Sequence, residues 1–224
     1  MPLDRNDAYK SLIIGFGEVG KAIHSIFKCE VIDKDGTGAI GIKDKYDYIH
    51  ICFGWSDEFE NEVKKYQEFY NPEYTIIHST VPVGTSKRLG AVHSPIRGMH
   101  PNLETGIRTF QKFLGGEKAH LVAEYFRDFG LRVIICDKSE TTELGMLLGT
   151  EHYRMCIEFA KYAKNLCENW SVPFSESYTL FSLTYNDGWS KLGQPEYCRP
   201  VLQPIMTEIG GHCLIPNSKL IRVG

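Results

Sequence analysis

The chain has 224 residues, with 25 Lys plus Arg against 28 Asp plus Glu and a formal net charge of −3. That length can bury a working core without staples, and the absence of a basic stripe or like-charge run leaves no electrostatic footprint for nucleic acid. Seven cysteines, odd in number and never in a Cys-x-x-Cys pair, argue against both a zinc site and a disulfide framework. No stretch approaches the roughly 18 unbroken apolar residues of a membrane helix, and Met1-Pro2-Leu3 opens no apolar leader, so a cytoplasmic, membrane-free protein is expected.

From residue 11 to about 136 short apolar runs alternate with amphipathic stretches, the pattern of parallel strands joined by crossover helices. Strands are expected at Leu12 to Ile14, Val31 and Ile32, Tyr48 to Phe53, Thr75 to His78, Lys112 to Leu114 and Arg132 to Cys136. Glu58 to Tyr70 and Ala119 to Phe129 read as helices, the first ended by Asn71-Pro72 and the second by Gly130. Beyond Asp137, Leu144, Leu147, Leu148, Met155, Phe159, Tyr162, Leu166 and Trp170 recur every three or four residues without a proline. This predicts a helix of about 45 Å, longer than the preceding half can cover, and hence a homodimer through residues 141–170. Shorter helical pieces are expected around the prolines of residues 174–224.

The segment Gly15-Phe16-Gly17-Glu18-Val19-Gly20 follows a strand and opens a helix. In that setting the loop backbone can approach a diphosphate while the helix N-terminus offers unpaired N–H groups. Gly15 permits the tight turn, Gly17 the close approach and Gly20 the helix packing. Asp33 closes the second apolar run, where a carboxylate accepts ribose hydroxyls and repels a 2′-phosphate; NAD is favoured over NADP, with Lys34 softening the preference. The fold class is therefore α/β: a Rossmann-type doubly wound parallel sheet over residues 1–138, followed by a smaller all-helical domain over 139–224.

Those glycines, Ser79-Thr80-Val81-Pro82-Val83-Gly84-Thr85, Thr142-Glu143-Leu144 and Gly210-Gly211-His212-Cys213 together resemble the UDP-glucose/GDP-mannose dehydrogenase family. The resemblance implies a Rossmann domain, a helical dimerisation domain, and NAD-dependent oxidation of a sugar alcohol with a cysteine capturing the aldehyde. It puts Cys213 at the nucleophile and Thr80 beside the active-site water, with Val81 bordering the cofactor. His212, next to Cys213, is placed to lower its thiol pKa. Ser94 to Asn102 adds Arg97, His100 and Asn102 at the carboxyl edge of the sheet, groups suited to an anionic substrate, with His100 able to take a hydroxyl proton as hydride leaves. Glu143 sits near the start of the long helix on the substrate side.

The chain also departs from the family. Met146 stands where the family keeps a lysine, Thr150 where it keeps an asparagine, and Pro95-Ile96 replaces a proline-glutamate pair. A third, nucleotide-sugar-binding domain is expected to be missing beyond Gly224. The expected function is an NAD-dependent oxidoreductase resembling a shortened nucleotide-sugar dehydrogenase, acting on a hydroxyl of a sugar-like or small anionic molecule. Two alternatives stand: a β-hydroxyacid dehydrogenase, and a dimer that binds NAD without turnover.

Overall fold

The computed structural model describes residues 9–35, 45–98, 102–204 and 214–221. Seven strands form one sheet in the order β2-β1-β3-β4-β5-β6-β7. They are β1 Ser11–Ile14, β2 Glu30–Ile32, β3 Tyr48–Ile51, β4 Tyr74–Ile77, β5 Val92–His93, β6 Lys112–Gly115 and β7 Val133–Cys136. The helices around them are α1 Glu18–Phe27, α2 Phe59–Tyr70, α3 Thr85–Arg88, α4 Leu103–Thr109 and α5 Ala119–Asp128. A helix of 31 residues, α6 Ser139–Asn169, follows the sheet, and α7 Phe181–Lys191 and α8 Leu214–Leu220 come after it.

Alternation along the central strands sends side chains to opposite faces. Ile13 joins Ile23, Phe27, Val122 and Phe126 in one buried cluster. Leu12 and Ile14 join Ile49, Ile51, Phe59 and Val63 in the other. A sheet covered on both faces explains why its strands read as unbroken apolar runs rather than as alternating ones.

The doubly wound parallel sheet expected from the sequence is present, with one antiparallel pairing. Strands β1 to β5 run parallel, but β6 pairs antiparallel with β5, and β7 follows β6 in parallel. Apolar patterning marks a strand without marking its direction, so only the return path through residues 94–111 decides this. Strand β5 and helices α3 and α4 were not expected; they have two, four and seven residues, too few to show a period.

Two compact units divide at Met146 and Leu147, inside α6, so the first turns of the long helix fall in the unit that holds the sheet. In the first unit, Gly115 leaves room for α6: a Cβ there would lie 2.4 Å from Thr142 Oγ1. In the second unit α6 ends at Asn169, and Ser171, with φ of 53°, turns the chain away just after it, before Pro173. Asn186 there braces the chain by donating to the Arg199 carbonyl at 2.7 Å and accepting the Arg199 amide at 2.8 Å. Among the described residues no helix is long and apolar enough to cross a membrane.

Candidate nucleotide and substrate site

The turn after β1 is shaped by its glycines. Gly15 has φ +95°, and a Cβ there would lie 2.9 Å from the Phe53 amide nitrogen, a backbone state and a spacing that only glycine tolerates. At Gly20 a Cβ would approach the Gly15 carbonyl oxygen to 2.0 Å, so the first turn of α1 folds directly onto the loop. Gly17 differs: nothing lies within 4 Å of where its Cβ would be. That space lies at the start of α1, where Gly17 as the N-cap residue brings no side chain, and a helix N-terminus favours a bound anion.

Asp33 ties this turn to β2. Its Oδ2 accepts the Phe16 amide at 2.8 Å and its Oδ1 accepts the Lys34 amide at 2.7 Å. The carboxylate is thereby held at the rim of a cleft of about 480 Å³ lined by Gly15, Asp33, Lys34, Phe53, Lys65 and Tyr66, among others. Lys65 and Tyr66 come from α2 and carry no sequence signal of their own. Their place at the cleft is a result of the crossover laying α2 along the sheet.

The segment holding Thr80 and Val81 leaves β4 at the same carboxyl edge. Val81 is fully buried, and Ser79 Oγ donates to the Phe53 carbonyl, joining the segment to the cleft wall. Its far end is fixed by Glu143. That carboxylate is buried and accepts the amides of Gly84 at 2.6 Å and Ser86 at 2.8 Å. The expectation that Glu143 reaches a substrate is corrected: it is engaged as the cap of α3, and it shapes the loop instead.

Arg97 is exposed, with its guanidinium 5.2 Å from the Phe110 ring centre and 5.7 Å from that of Phe113. Asn102 is exposed at the start of α4 and makes no side-chain cap. Thr150 directs its hydroxyl to the Leu147 carbonyl at 2.9 Å. His100, His212 and Cys213 lie outside the described residues.

Beneath this edge lies a polar network absent from the sequence reading. His78 Nδ1 is 2.9 Å from the Ser94 carbonyl oxygen, His78 Nε2 is 2.9 Å from His50 Nδ1, and His50 Nε2 is 3.0 Å from the Tyr125 hydroxyl. A carbonyl only accepts, so His78 carries its proton on Nδ1 and His50 donates from Nδ1 to His78; the Tyr125 hydroxyl lies between His50 Nε2 and Ser11 Oγ, 3.1 Å from the latter. His93 joins a second branch, with Nδ1 2.8 Å from Thr142 Oγ1 and Nε2 3.3 Å from the Ser79 carbonyl oxygen. Burial lowers all three imidazoles, His50 and His93 to about 3 and His78 well below its ordinary value. The available signal was a histidine at or beside the end of three apolar strands, Ile49-His50-Ile51, Ile77-His78 and Val92-His93.

Among the described residues no cluster of His, Cys, Asp and Glu is arranged to hold a metal ion. The six described cysteines are free thiols, three of them buried.

Solved structures share this architecture. The UDP-D-ManNAc dehydrogenase of Pyrococcus horikoshii superposes with a TM-score of 0.71 at 16% identity, covering 94% of this chain and 63% of that one. The fold is that of the nucleotide-sugar dehydrogenases. The NDP-N-acetyl-D-galactosaminuronic acid dehydrogenase of Methanosarcina mazei Go1 matches at 0.69 and 15% identity, covering 96% of this chain and 60% of its own. The native UDP-N-acetyl-mannosamine dehydrogenase of Staphylococcus aureus matches at 0.64 and 16%, with 95% and 66% coverage. The chain thus spans less than two thirds of the length of these nucleotide-sugar dehydrogenase structures. No protein-family model matches it, and no curated protein matches it in sequence.

Proposed function

We propose that the chain is an NAD-dependent oxidoreductase of the dehydrogenase type, acting on a hydroxyl group of a sugar-like or small anionic molecule. The observation that carries this reading is the open space at Gly17 at the start of a helix, beside a carboxylate fixed at the rim of a cleft. A diphosphate fits that space; Asp33 would accept ribose hydroxyls, and Phe53, Lys65 and Tyr66 would wall the nucleoside. When bound, the nicotinamide supplies the hydride acceptor.

The protein's own residues have separable roles in this reading. Thr80 and Val81 border the nicotinamide end, on a loop that Glu143 holds from behind. Arg97 and Asn102 face an anionic substrate, His100 takes the hydroxyl proton, and Cys213 with His212 beside it captures an aldehyde intermediate. A second copy of the chain covers the exposed Leu148, Met155, Phe159, Tyr162 and Trp170 of α6.

The experiment is calorimetry with NAD and NADP, followed by nicotinamide absorbance with UDP-sugars, hexuronates and 3-hydroxy acids. Reduction of NAD by one of these supports the enzyme; failure of both dinucleotides to bind at millimolar concentration removes it. One observation favours a second reading, binding without turnover: Met146 and Thr150 stand at the helix positions where the family resemblance implies lysine and asparagine. Protection of the fold by NAD with no turnover across the panel would select it.

A further inference from the structure

Lys112, the first residue of β6, is 3% exposed. Its Nζ donates to the Ser94 carbonyl at 2.9 Å and to the Pro95 carbonyl at 2.6 Å. Lysine is almost never buried without a charged partner. Among the described residues, no carboxylate lies within ion-pair distance of this one. The groups acting on it or answering to it are His50 and the Cys52 thiol from the β3 strand and its end, His78 after β4, and His93 on β5, with Tyr125 of α5 reached through His50. Each histidine is neutral, and burial raises the Cys52 thiol far above its ordinary range.

The hydrogen-bond count suits an uncharged amine. A neutral amine has two N–H groups, and two carbonyls receive them. An ammonium carries a third donor and a net charge into a buried place where no described carboxylate stands as counter-ion. Burial accordingly lowers the lysine to about 7. Both carbonyls belong to the segment that carries Arg97, and β6 grips that segment a second time through Phe113, which stands next to Lys112 in the strand and points to the opposite face.

We propose that Lys112 is a positioning residue: its uncharged amine latches residues 94–97, and taking up a proton unlatches them and frees the segment bearing Arg97. The consequence for the candidate site rests on reading that segment as its substrate side; the latch itself requires neither cofactor nor substrate.

The sign follows from linkage. The freed side chain has the ordinary affinity for a proton, near 10.4, while the latched one binds it only near 7. Opening is therefore disfavoured by up to about ten-fold more for each pH unit between about 7 and 10, and levels off below 7.

The test is amide hydrogen exchange of Ser94, Ile96 and Arg97 from pH 6 to 10, Ser94 being the amide bonded to the Ile77 carbonyl, corrected for intrinsic rates, in the wild type, Lys112→Gln and Lys112→Met. In the wild type, protection should climb through that window and stay flat below it, while staying lower than that of the β1 and β3 amides, which open only with the whole fold. Lys112→Gln, with two uncharged N–H donors, should hold the segment with no slope; Lys112→Met should leave it open at every pH. A flat wild-type profile, the same slope in Lys112→Gln, or protection of the segment equal to that of β1 and β3 at every pH, which would mean opening only by global unfolding, would each overturn the latch. If either variant fails to fold, the wild-type comparison of 94–97 with β1 and β3 decides alone. Loss of dinucleotide binding would leave this result standing, so the two readings fail separately.

Discussion

The carboxylate of Asp33 accepts the amide of Phe16 at 2.8 Å, which makes the acidic end of β2 and the glycine turn after β1 one hydrogen-bonded unit. The Phe16 amide is thus satisfied by the protein, and anion contact falls to the amides beyond it at the start of α1. Asp33→Ala should weaken NAD by about ten-fold more than NADP, a difference of about 1.4 kcal/mol. Calorimetry with the two dinucleotides reads this directly, and equal losses would remove the ribose assignment.

Two glycine substitutions separate folding from binding. Gly20→Ala drives a Cβ to 2.0 Å from the Gly15 carbonyl oxygen and should cost about 3 kcal/mol of stability along with binding. Gly17→Ala enters open space with φ −68°, so urea unfolding should change by less than about 0.5 kcal/mol. Dinucleotide affinity should nevertheless fall at least ten-fold. A Gly17→Ala protein that binds NAD normally would contradict the diphosphate placement.

Glu143 caps the amides of Gly84 and Ser86 from a buried position. Removing it strands both donors, each bond to a charged acceptor being worth about 1.5 to 3 kcal/mol. Glu143→Ala should cost about 3 kcal/mol in urea melts and Glu143→Gln less, because one acceptor remains. Near-zero loss in Glu143→Ala would return this residue to the list of ligand-facing groups.

Stability should fall on acidification. His50 and His93 are lowered to about 3 by burial, so the unfolded chain binds protons that the folded one refuses once the pH drops below the ordinary histidine value, about 6.5. The stabilising contribution of the neutral imidazoles is complete above about 6.5 and is lost progressively down to about 3. Lys112, lowered to about 7, adds a loss of the same sign between about 10.4 and 7. Denaturant midpoints measured from pH 9 to 4 check this; a midpoint that rose on acidification would contradict the burial of these groups.

Phe159 and Tyr162 are 56% and 58% exposed on α6. If a second copy covers them, Phe159→Glu with Tyr162→Glu should turn a dimer into a monomer in sedimentation runs at micromolar concentration. A wild type that sediments as a monomer at those concentrations would remove the proposed interface.

Much of this architecture was readable in the chain. Gly15 makes the tight turn and Gly20 the close helix packing that their spacing implied, because a turn that must admit both a tight bend and a helix start leaves few residue choices. The long helix was readable from its 3.6-residue period. Other features were not. Strand β5 is too short to show a pattern, and the antiparallel turn into β6 leaves no trace in hydropathy. Glu143 beside the helix start looked available, and only the fold of the 79–86 loop brought two amides to it.

The amino-acid order by itself determined the alternation of strand and helix, the glycine turn after β1 and the apolar face of α6, since these depend on neighbours within a few residues. The tertiary structure alone decided the reversed strands, the cap on α3, and the meeting of His50, His78 and Lys112 around Ser94. Those groups are 16 to 28 residues apart or more along the chain. Their protonation depends on being buried together, a property that no single segment possesses.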